Sequence, residues 1–185
     1  MSSAKEKANR EQVGLVHIYC GDGKGKTTAG MGLCARAAGA GKRVLICQFM
    51  KDHTSAERRV LEALPNVTFA IGQDRVKFSF RMTEAERAQQ RVFYDRQFAE
   101  VTRMAIEEAY DVLFLDEVLY CIRAGLMEEA PLVRFLEKKP AGLEVILTGQ
   151  GPGKALIDLA DYVSEIRKVK HPFDEGVPAR EGIER

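Results

Sequence analysis

The sequence predicts an α/β fold in which a mainly parallel sheet carries helices on both faces. Six short runs rich in apolar and β-branched residues recur along the chain, and several are continuously hydrophobic, which is typical of strands buried on both sides. Segments with the features of helices lie between these runs, so strands and helices alternate. The predicted strands are residues 13–20, 43–50, 67–71, 111–116, 143–148 and 162–169.

The segments between the strands carry helix start and stop signals. Small and aliphatic residues follow the first strand, and Gly39 and Gly41 indicate where that helix ends. Thr83 and Glu86 have the spacing of a capping box before a long amphipathic segment. Pro or Gly bounds two shorter segments. The predicted helices are residues 26–38, 83–109, 131–138 and 153–160.

The composition is that of one compact domain. The chain has 185 residues, of which 45% are apolar and 30% are charged, so a core can form without disulfides or a structural metal. Residues 13–185 are predicted to form this domain, with a C-terminal tail at residues 171–185 that lacks periodicity. Residues 1–12 are predicted to be a mobile segment.

Charge, hydropathy and cysteine spacing exclude several classes of protein. The chain has 28 Lys and Arg residues against 27 Asp and Glu residues, which argues against nucleic acid or an anionic membrane as a partner. No apolar run approaches the roughly 20 residues of a membrane-spanning helix, and residues 1–12 lack the apolar stretch of a secretory signal, which predicts a cytoplasmic protein. The cysteines lack the spacing of metal and redox motifs and predict reduced, mostly buried thiols. They are Cys20, Cys34, Cys47 and Cys121.

The most informative segment lies between the first predicted strand and the first predicted helix. Its glycines let successive backbone N–H groups turn inward around an anion, and the helix N-terminus adds a partial positive charge. Lys26 can reach the outer phosphates of a nucleotide, and Thr27 can hold a magnesium ion. The strict phosphate-loop pattern requires a glycine where this chain has Cys20, so Gly21 is displaced by one residue. The predicted phosphate-binding residues are Gly21, Asp22, Gly23, Lys24, Gly25, Lys26, Thr27 and Thr28.

A second element of the same site is the predicted strand 111–116, which ends at Asp116 and is followed by Glu117. In P-loop folds such a strand neighbours the first strand and places an acid near the metal ion on the triphosphate. The predicted fold is therefore P-loop NTPase-like. If the strand continued, the two carboxylates would project to opposite sides, so which of them contacts the metal stays open. The predicted metal ligands are Thr27, Asp116 and Glu117.

A phosphate loop indicates a nucleotide but leaves the reaction open. The chain has no Asn-Lys-x-Asp sequence, the usual element that reads guanine, so ATP is the predicted nucleotide.

Further motifs of the chain resemble those of the P-loop type corrinoid adenosyltransferases, which convert cob(I)alamin or a precursor corrinoid into its adenosyl form. The resemblance covers nearly the whole chain. General ATPases share only the phosphate loop and the strand end at Asp116. The matching segments are residues 21–28, 36–39, 41–42, 48–51, 115–117, 147–149, 169–174 and 176–177.

The resemblance implies an enzyme in which Co(I) of the corrinoid attacks the 5′ carbon of ATP and the whole triphosphate leaves. It implies catalytic roles for Lys26, Thr27 and Glu117, with Mg²⁺ or Mn²⁺ as cofactor, and it places Arg36 in the nucleotide site. It further implies a homodimer and a partner reductase that donates an electron.

The resemblance also implies a corrinoid-binding role for Phe78 and Phe80, which match an aromatic pair that covers the lower face of the corrin. Ordinary hydrophobic packing is the alternative for this pair. Residues 1–12 match a segment that covers the corrinoid in family members, with plain disorder as the alternative. Whether the substrate is cobalamin or cobyrinic acid a,c-diamide, and whether the role is biosynthesis or salvage, stays open.

The chain departs from the family pattern at several positions. Phe80 stands where the family has Trp, and Asp52 stands where Gly is usual. Gln150 stands where Arg is common, which removes one cation from the phosphate region, and Lys154 is a candidate replacement. Two other functions stay open: a P-loop enzyme that cleaves ATP at the γ-phosphate, and an ATP-gated corrinoid carrier without transferase chemistry.

Overall fold

One sheet of six parallel strands is present in the computed structural model, which describes residues 13–52, 55–73, 77 and 79–184. The strands are β1 (Val16–Cys20), β2 (Val44–Gln48), β3 (Val67–Phe69), β4 (Val112–Asp116), β5 (Glu144–Thr148) and β6 (Tyr162–Glu165). Their order across the sheet is β3-β2-β4-β5-β1-β6, and every neighbouring pair is parallel. The predicted α/β class with a parallel sheet is confirmed.

Helices connect the strands. They are α1 (Lys26–Gly39), α2 (Ala56–Leu61), α3 (Glu84–Glu107), α4 (Val118–Arg123), α5 (Glu129–Lys138) and α6 (Lys154–Leu159). The predicted capping box is confirmed: Thr83 Oγ1 accepts from the Glu86 backbone N–H, and the Glu86 carboxylate accepts from that of Thr83. The sequence did not predict α2 and α4, because six residues are too few for a helical period to show.

Alternate residues of the central strands pack into two separate cores. On β2, Leu45 and Cys47 belong to a core that also contains residues of α3, α4 and α5. Val44 and Ile46 point the other way, into a core completed by residues of α1 and α2. The predicted helices on both faces of the sheet are therefore confirmed. All four cysteines are free and buried, as predicted.

The structure corrects the predicted neighbourhood of the first strand. β4 does not lie next to β1, because β5 lies between them and pairs with both. The burial of β5 on both faces fits a central strand, but several other apolar runs share this property, so the sequence does not show which strand lies between β1 and β4. β3 and β6 also end earlier than predicted, at Phe69 and Glu165.

Outside the sheet, the predicted tail contains a short 3-10 helix at Pro172–Glu175 and is otherwise irregular. Residues 1–12, predicted to be mobile, lie outside the described residues. Within the described part of the chain, no helix is long and apolar enough to cross a bilayer.

Candidate nucleotide site

A cavity of about 710 Å³ opens at the carboxyl ends of β1, β2 and β4. The loop after β1 supplies one wall with Lys24, Lys26 and Thr27, and the turns after β2 and β4 supply Lys51 and Glu117. This is the edge at which parallel α/β sheets bind ligands, because the loops that follow the strands converge there.

The first half of the loop is held against the chain that follows β6. Gly21 has a φ of 106°, and a Cβ at this position would lie 2.3 Å from the carbonyl oxygen of Ile166. That same oxygen accepts a hydrogen bond of 2.8 Å from the Gly23 backbone N–H. The close approach explains why glycine is needed at position 21, one residue later than the strict phosphate-loop pattern.

Asp22 fastens the loop at its outer side. Its carboxylate accepts a hydrogen bond of 2.9 Å from the Lys168 backbone N–H, and this bond lowers the pKa of Asp22. Gly21 and Asp22 border a neighbouring cavity of about 430 Å³ and not the larger one. Gly21 and Asp22 therefore support the loop from behind, and other residues of the loop line the larger cavity.

The second half of the loop forms the start of α1. Gly25 is the N-cap residue, with a φ of 116° and no side-chain cap, and open space surrounds the position of its missing Cβ. The first backbone N–H groups of a helix have no partner within the helix, so this end of α1 can bind an anion. The Lys26 ammonium donates to the Gly23 carbonyl oxygen at 2.8 Å, which holds it inside the loop.

Asp116 is the centre of a polar network at the end of β4. Its carboxylate is fully buried, and its Oδ1 accepts from the hydroxyls of Thr27 at 2.9 Å and Thr148 at 2.7 Å. Its Oδ2 accepts from the Gln48 amide at 3.2 Å and from the Lys51 ammonium at 2.7 Å. These four donors come from three parts of the chain, so the network joins the loop, the end of β2 with the turn after it, and the end of β5.

Glu117 turns out of the sheet toward the cavity. It has a φ of 59°, its backbone N–H donates to the Thr148 hydroxyl at 2.8 Å, and α4 begins at the next residue. The strand therefore stops at Asp116, and the two carboxylates do not project to opposite sides as a continued strand would require. Burial and the neighbouring Asp116 charge raise the pKa of Glu117, whereas Lys51 and Lys26 act in the opposite direction.

The residues at this edge fit a divalent cation bound together with phosphates. Within residues 13–52, 55–73, 77 and 79–184 there is no group of three or more His, Cys, Asp or Glu side chains arranged to hold a metal by themselves. A magnesium ion usually takes one or two carboxylates and completes its shell with substrate phosphates and water. Thr27, Asp116 and Glu117 offer such a partial set.

The family of the chain follows from a comparison with known proteins. A family model described as ATP:corrinoid adenosyltransferase BtuR/CobO/CobP matches residues 12–185. The chain belongs to this family.

Individual relatives agree with the family. The chain is 34% identical to the corrinoid adenosyltransferase of Escherichia coli K12 over 176 residues, which cover 95% of this chain and 87% of that protein. It is 35% identical to the corresponding protein of Salmonella typhimurium LT2 over the same coverage, and 32% identical to that of a Sinorhizobium species over 100% of this chain and 90% of the relative. The predicted resemblance is confirmed, and with it the prediction of an ATP-using corrinoid adenosyltransferase of cobalamin metabolism.

The structure of this adenosyltransferase brings most of the predicted site residues together, but not Arg36. Arg36 lies ten residues after Lys26 on α1, about 15 Å along the helix axis, and it borders a different cavity at the amino ends of the strands. Its assignment to the nucleotide site stays a prediction, and the fold of one chain does not support it.

Two further predictions concern the corrinoid-binding residues Phe78 and Phe80 and the replacement cation Lys154. Phe78 lies outside the described residues, and of Phe80 only the backbone is described, in the 3-10 helix Ser79–Arg81. Lys154 pairs with Asp158 on an exposed face of α6, and its role as the replacement cation stays a prediction. Gln150 instead accepts a hydrogen bond of 2.8 Å from Arg123.

Sequence reasoning missed several contributions to the candidate site, among them Gln48, whose amide contacts Asp116. Lys51 and Thr148 both contact Asp116, although they lie 65 and 32 residues away from it in the chain. Ile183 and Glu184 of the tail form part of the wall of the larger cavity. The polar residues that follow β2 and end β5 could have predicted that Lys51 and Thr148 lie near Asp116, because all carboxyl ends of parallel strands meet at one edge of the sheet.

Proposed function

We propose that the larger cavity binds the triphosphate of ATP and that the loop, a divalent cation and Glu117 stabilise it as a leaving group. The observation that carries this proposal is the hydrogen bond between Thr27 and the buried Asp116, because it joins the phosphate loop to the acidic strand end. Lys24 and Lys26 border the same cavity and would place two positive charges on the triphosphate.

The proposed cation is Mg²⁺ or Mn²⁺. Glu117 borders the cavity, whereas Asp116 is fully buried behind Thr27, which favours Thr27 and Glu117 as the direct ligands and Asp116 as the group that orients Thr27. When bound, such an ion neutralises charge on the phosphate oxygens.

The proposed chemistry needs no nucleophile from the protein. The Co(I) centre of the corrinoid supplies an electron pair that forms a bond to the 5′ carbon of ATP. The bond between that carbon and its oxygen breaks, and its electron pair leaves with the triphosphate, so cobalt changes formally from Co(I) to Co(III). The chain therefore has to orient ATP and to stabilise the leaving charge, which the lysines and backbone amides of the loop can do.

The segment 77–81 is proposed to face the corrinoid. Lys77 and Ser79, which precede and follow Phe78 in the sequence, border the larger cavity, which supports a corrinoid position beside the proposed triphosphate site. We retain Phe78 and Phe80 as the residues that cover the corrin.

Replacing Phe80 by alanine should slow the reaction that starts from Co(II), where displacement of the lower cobalt ligand matters, and should spare the reaction from chemically prepared Co(I). Equal losses in both assays would assign Phe80 to ordinary packing.

The homodimer, the reductase that supplies an electron, the corrinoid-covering role of residues 1–12 and the cytoplasmic location remain parts of this proposal.

An anaerobic assay tests the proposed reaction directly. The protein is incubated with ATP, Mg²⁺ and chemically reduced cob(I)alamin, the absorbance change from Co(I) to the alkylated corrinoid is followed, and the phosphate product is identified. We expect adenosylcobalamin and intact triphosphate in equal amounts. Inorganic phosphate or ADP would indicate cleavage at the γ-phosphate. Binding of both ligands without a cobalt–carbon bond would indicate a carrier.

A further inference from the structure

Lys51 places its ammonium where the proposed divalent cation would bind to Thr27. It follows β2 and the turn at Met50, whose φ is 53°. Its ammonium donates to the Thr27 hydroxyl oxygen at 2.7 Å and to Asp116 Oδ2 at 2.7 Å. It therefore bridges a hydroxyl and a carboxylate that belong to the predicted metal ligands.

Lys51 is the charged member among the four hydrogen-bond donors that Asp116 receives. The other three are the hydroxyls of Thr27 and Thr148 and the amide of Gln48, which are neutral. A fully buried carboxylate without a counter-charge is costly, so Lys51 offsets the Asp116 charge in the ligand-free protein.

A divalent cation and the Lys51 ammonium compete for the same oxygen. The Thr27 hydroxyl donates its hydrogen to Asp116 and accepts from Lys51, so Lys51 already uses one of the two lone pairs of the oxygen that a cation would bind. Two positive charges within about 4 Å also repel each other strongly in a partly buried site. Binding of the cation through Thr27 therefore favours a movement of the Lys51 ammonium away from Thr27 and Asp116.

Lys51 can move its ammonium from Asp116 into the larger cavity. Its side chain is 28% exposed and borders this cavity together with Lys24 and Lys26. An ammonium on a flexible four-carbon stem can turn from Asp116 to a phosphate oxygen without a change of the backbone. The triphosphate is the anion that would receive it.

We propose that Lys51 is an exchangeable counter-ion: it neutralises Asp116 before ligands bind and moves to the triphosphate when the divalent cation takes its place. This inference rests on the proposed function, in which the cavity holds the triphosphate together with a cation. Lys51 thus links binding of the cation to binding of the nucleotide. The ammonium that leaves Asp116 when the cation binds is the same ammonium that then contacts the triphosphate.

Two separate titrations test the exchange. Removing Lys51 removes the competitor, so Lys51→Met should bind Mn²⁺ alone, measured by electron paramagnetic resonance, about tenfold more tightly than the unaltered protein. The same variant should bind ATP in the presence of a chelator about tenfold more weakly, because one phosphate-binding cation is lost. Lys51→Gln keeps a hydrogen-bond donor near Asp116 and should show both changes even if Lys51→Met folds poorly.

The matched control is Lys42→Met, which removes an equal charge from the exposed pair with Asp111 at the amino end of the sheet and should leave both affinities unchanged. Lower thermal stability of the Lys51 variants with unchanged Mn²⁺ and ATP affinities would overturn the exchange and leave Lys51 a structural counter-ion. If the unaltered protein bound no ATP, or bound it equally well after Lys26→Ala, the proposed nucleotide site itself would fail. The two failures are therefore distinguishable.

Discussion

The two ends of the parallel sheet border cavities of similar size but hold their charges in different ways. The carboxyl-end cavity has a volume of about 710 Å³ and the amino-end cavity about 600 Å³. At the carboxyl end, Asp116 is fully buried and accepts four side-chain hydrogen bonds. At the amino end, Asp111 is 42% exposed and lies 3.9 Å from the Lys42 ammonium. A buried and fully hydrogen-bonded charge, and not the size of a cavity, distinguishes the functional end of the sheet.

Both ends contain a non-glycine residue with a positive φ, and at the amino end this is Ala109, with a φ of 51°. Met50 and Glu117, which follow β2 and β4 at the carboxyl end, both have positive φ values. This conformation costs a non-glycine residue about 1–2 kcal/mol. At these two turns it brings Lys51 and Glu117 to the edge of the cavity, so local strain is coupled to the position of charged groups.

The largest effect is expected from the loop lysine. Lys26→Ala should reduce adenosyl transfer by about 100-fold or more, because a positive charge on the leaving triphosphate is lost. Lys42→Ala at the amino end should change turnover by less than about twofold. Turnover and ATP affinity are measured for both proteins, with circular dichroism to confirm the fold. Normal ATP binding by Lys26→Ala would refute the phosphate role of this residue.

A smaller effect is expected from removing the buried charge at the carboxyl end. Asp116→Asn should reduce turnover by about tenfold and lower the free energy of unfolding by about 2 kcal/mol, because Lys51 loses its counter-charge and an NH₂ donor replaces one of the two acceptor oxygens. Asp111→Asn should lower that free energy by less than about 0.5 kcal/mol. Urea unfolding of the two variants measures the difference, and equal losses would remove the distinction between the two ends.

Two glycines with positive φ provide a matched pair for the backbone. At Gly21, at the carboxyl end, the missing Cβ would lie 2.3 Å from the Ile166 carbonyl oxygen, whereas at Gly41, at the amino end, an added Cβ would lie within 4 Å of no described residue other than its chain neighbours. Gly41→Ala should therefore cost about 1 kcal/mol from its φ alone, and Gly21→Ala about 2 kcal/mol more because the loop has to move from Ile166. Thermal unfolding compares them, and a few-fold loss of ATP affinity is expected for Gly21→Ala only.

The smallest effect is expected from Arg36. If one chain forms the nucleotide site, Arg36→Ala at the amino end should change turnover and ATP affinity by less than about twofold. A loss of tenfold or more would support the resemblance-based assignment and would mean that a second copy of the chain brings Arg36 to the nucleotide. Turnover measured over a range of protein concentrations separates these outcomes.

Much of the fold was predictable because it depends on local patterns. The apolar runs that became β2, β4 and β5 are buried on both faces, and the Thr83–Glu86 spacing formed its capping box. The features that the sequence did not predict can also be explained by the local sequence. α2 and α4 have six residues each, which is too short for periodicity, and nothing in the apolar run of β5 shows that it separates β1 from β4.

By itself, the sequence determined that a phosphate loop lies between a strand and a helix, that two acids follow a buried strand, and that the motifs are those of the corrinoid adenosyltransferases. The first two are patterns of neighbouring residues, and the third is a series of short local motifs in a fixed order, so none of them requires knowledge of which distant residues are in contact. Only the tertiary structure decided that Lys51 and Thr148 contact Asp116, that Ile166 requires glycine at position 21, and that Arg36 lies at the opposite end of the sheet. Strand order and helix direction set these contacts between residues far apart in sequence.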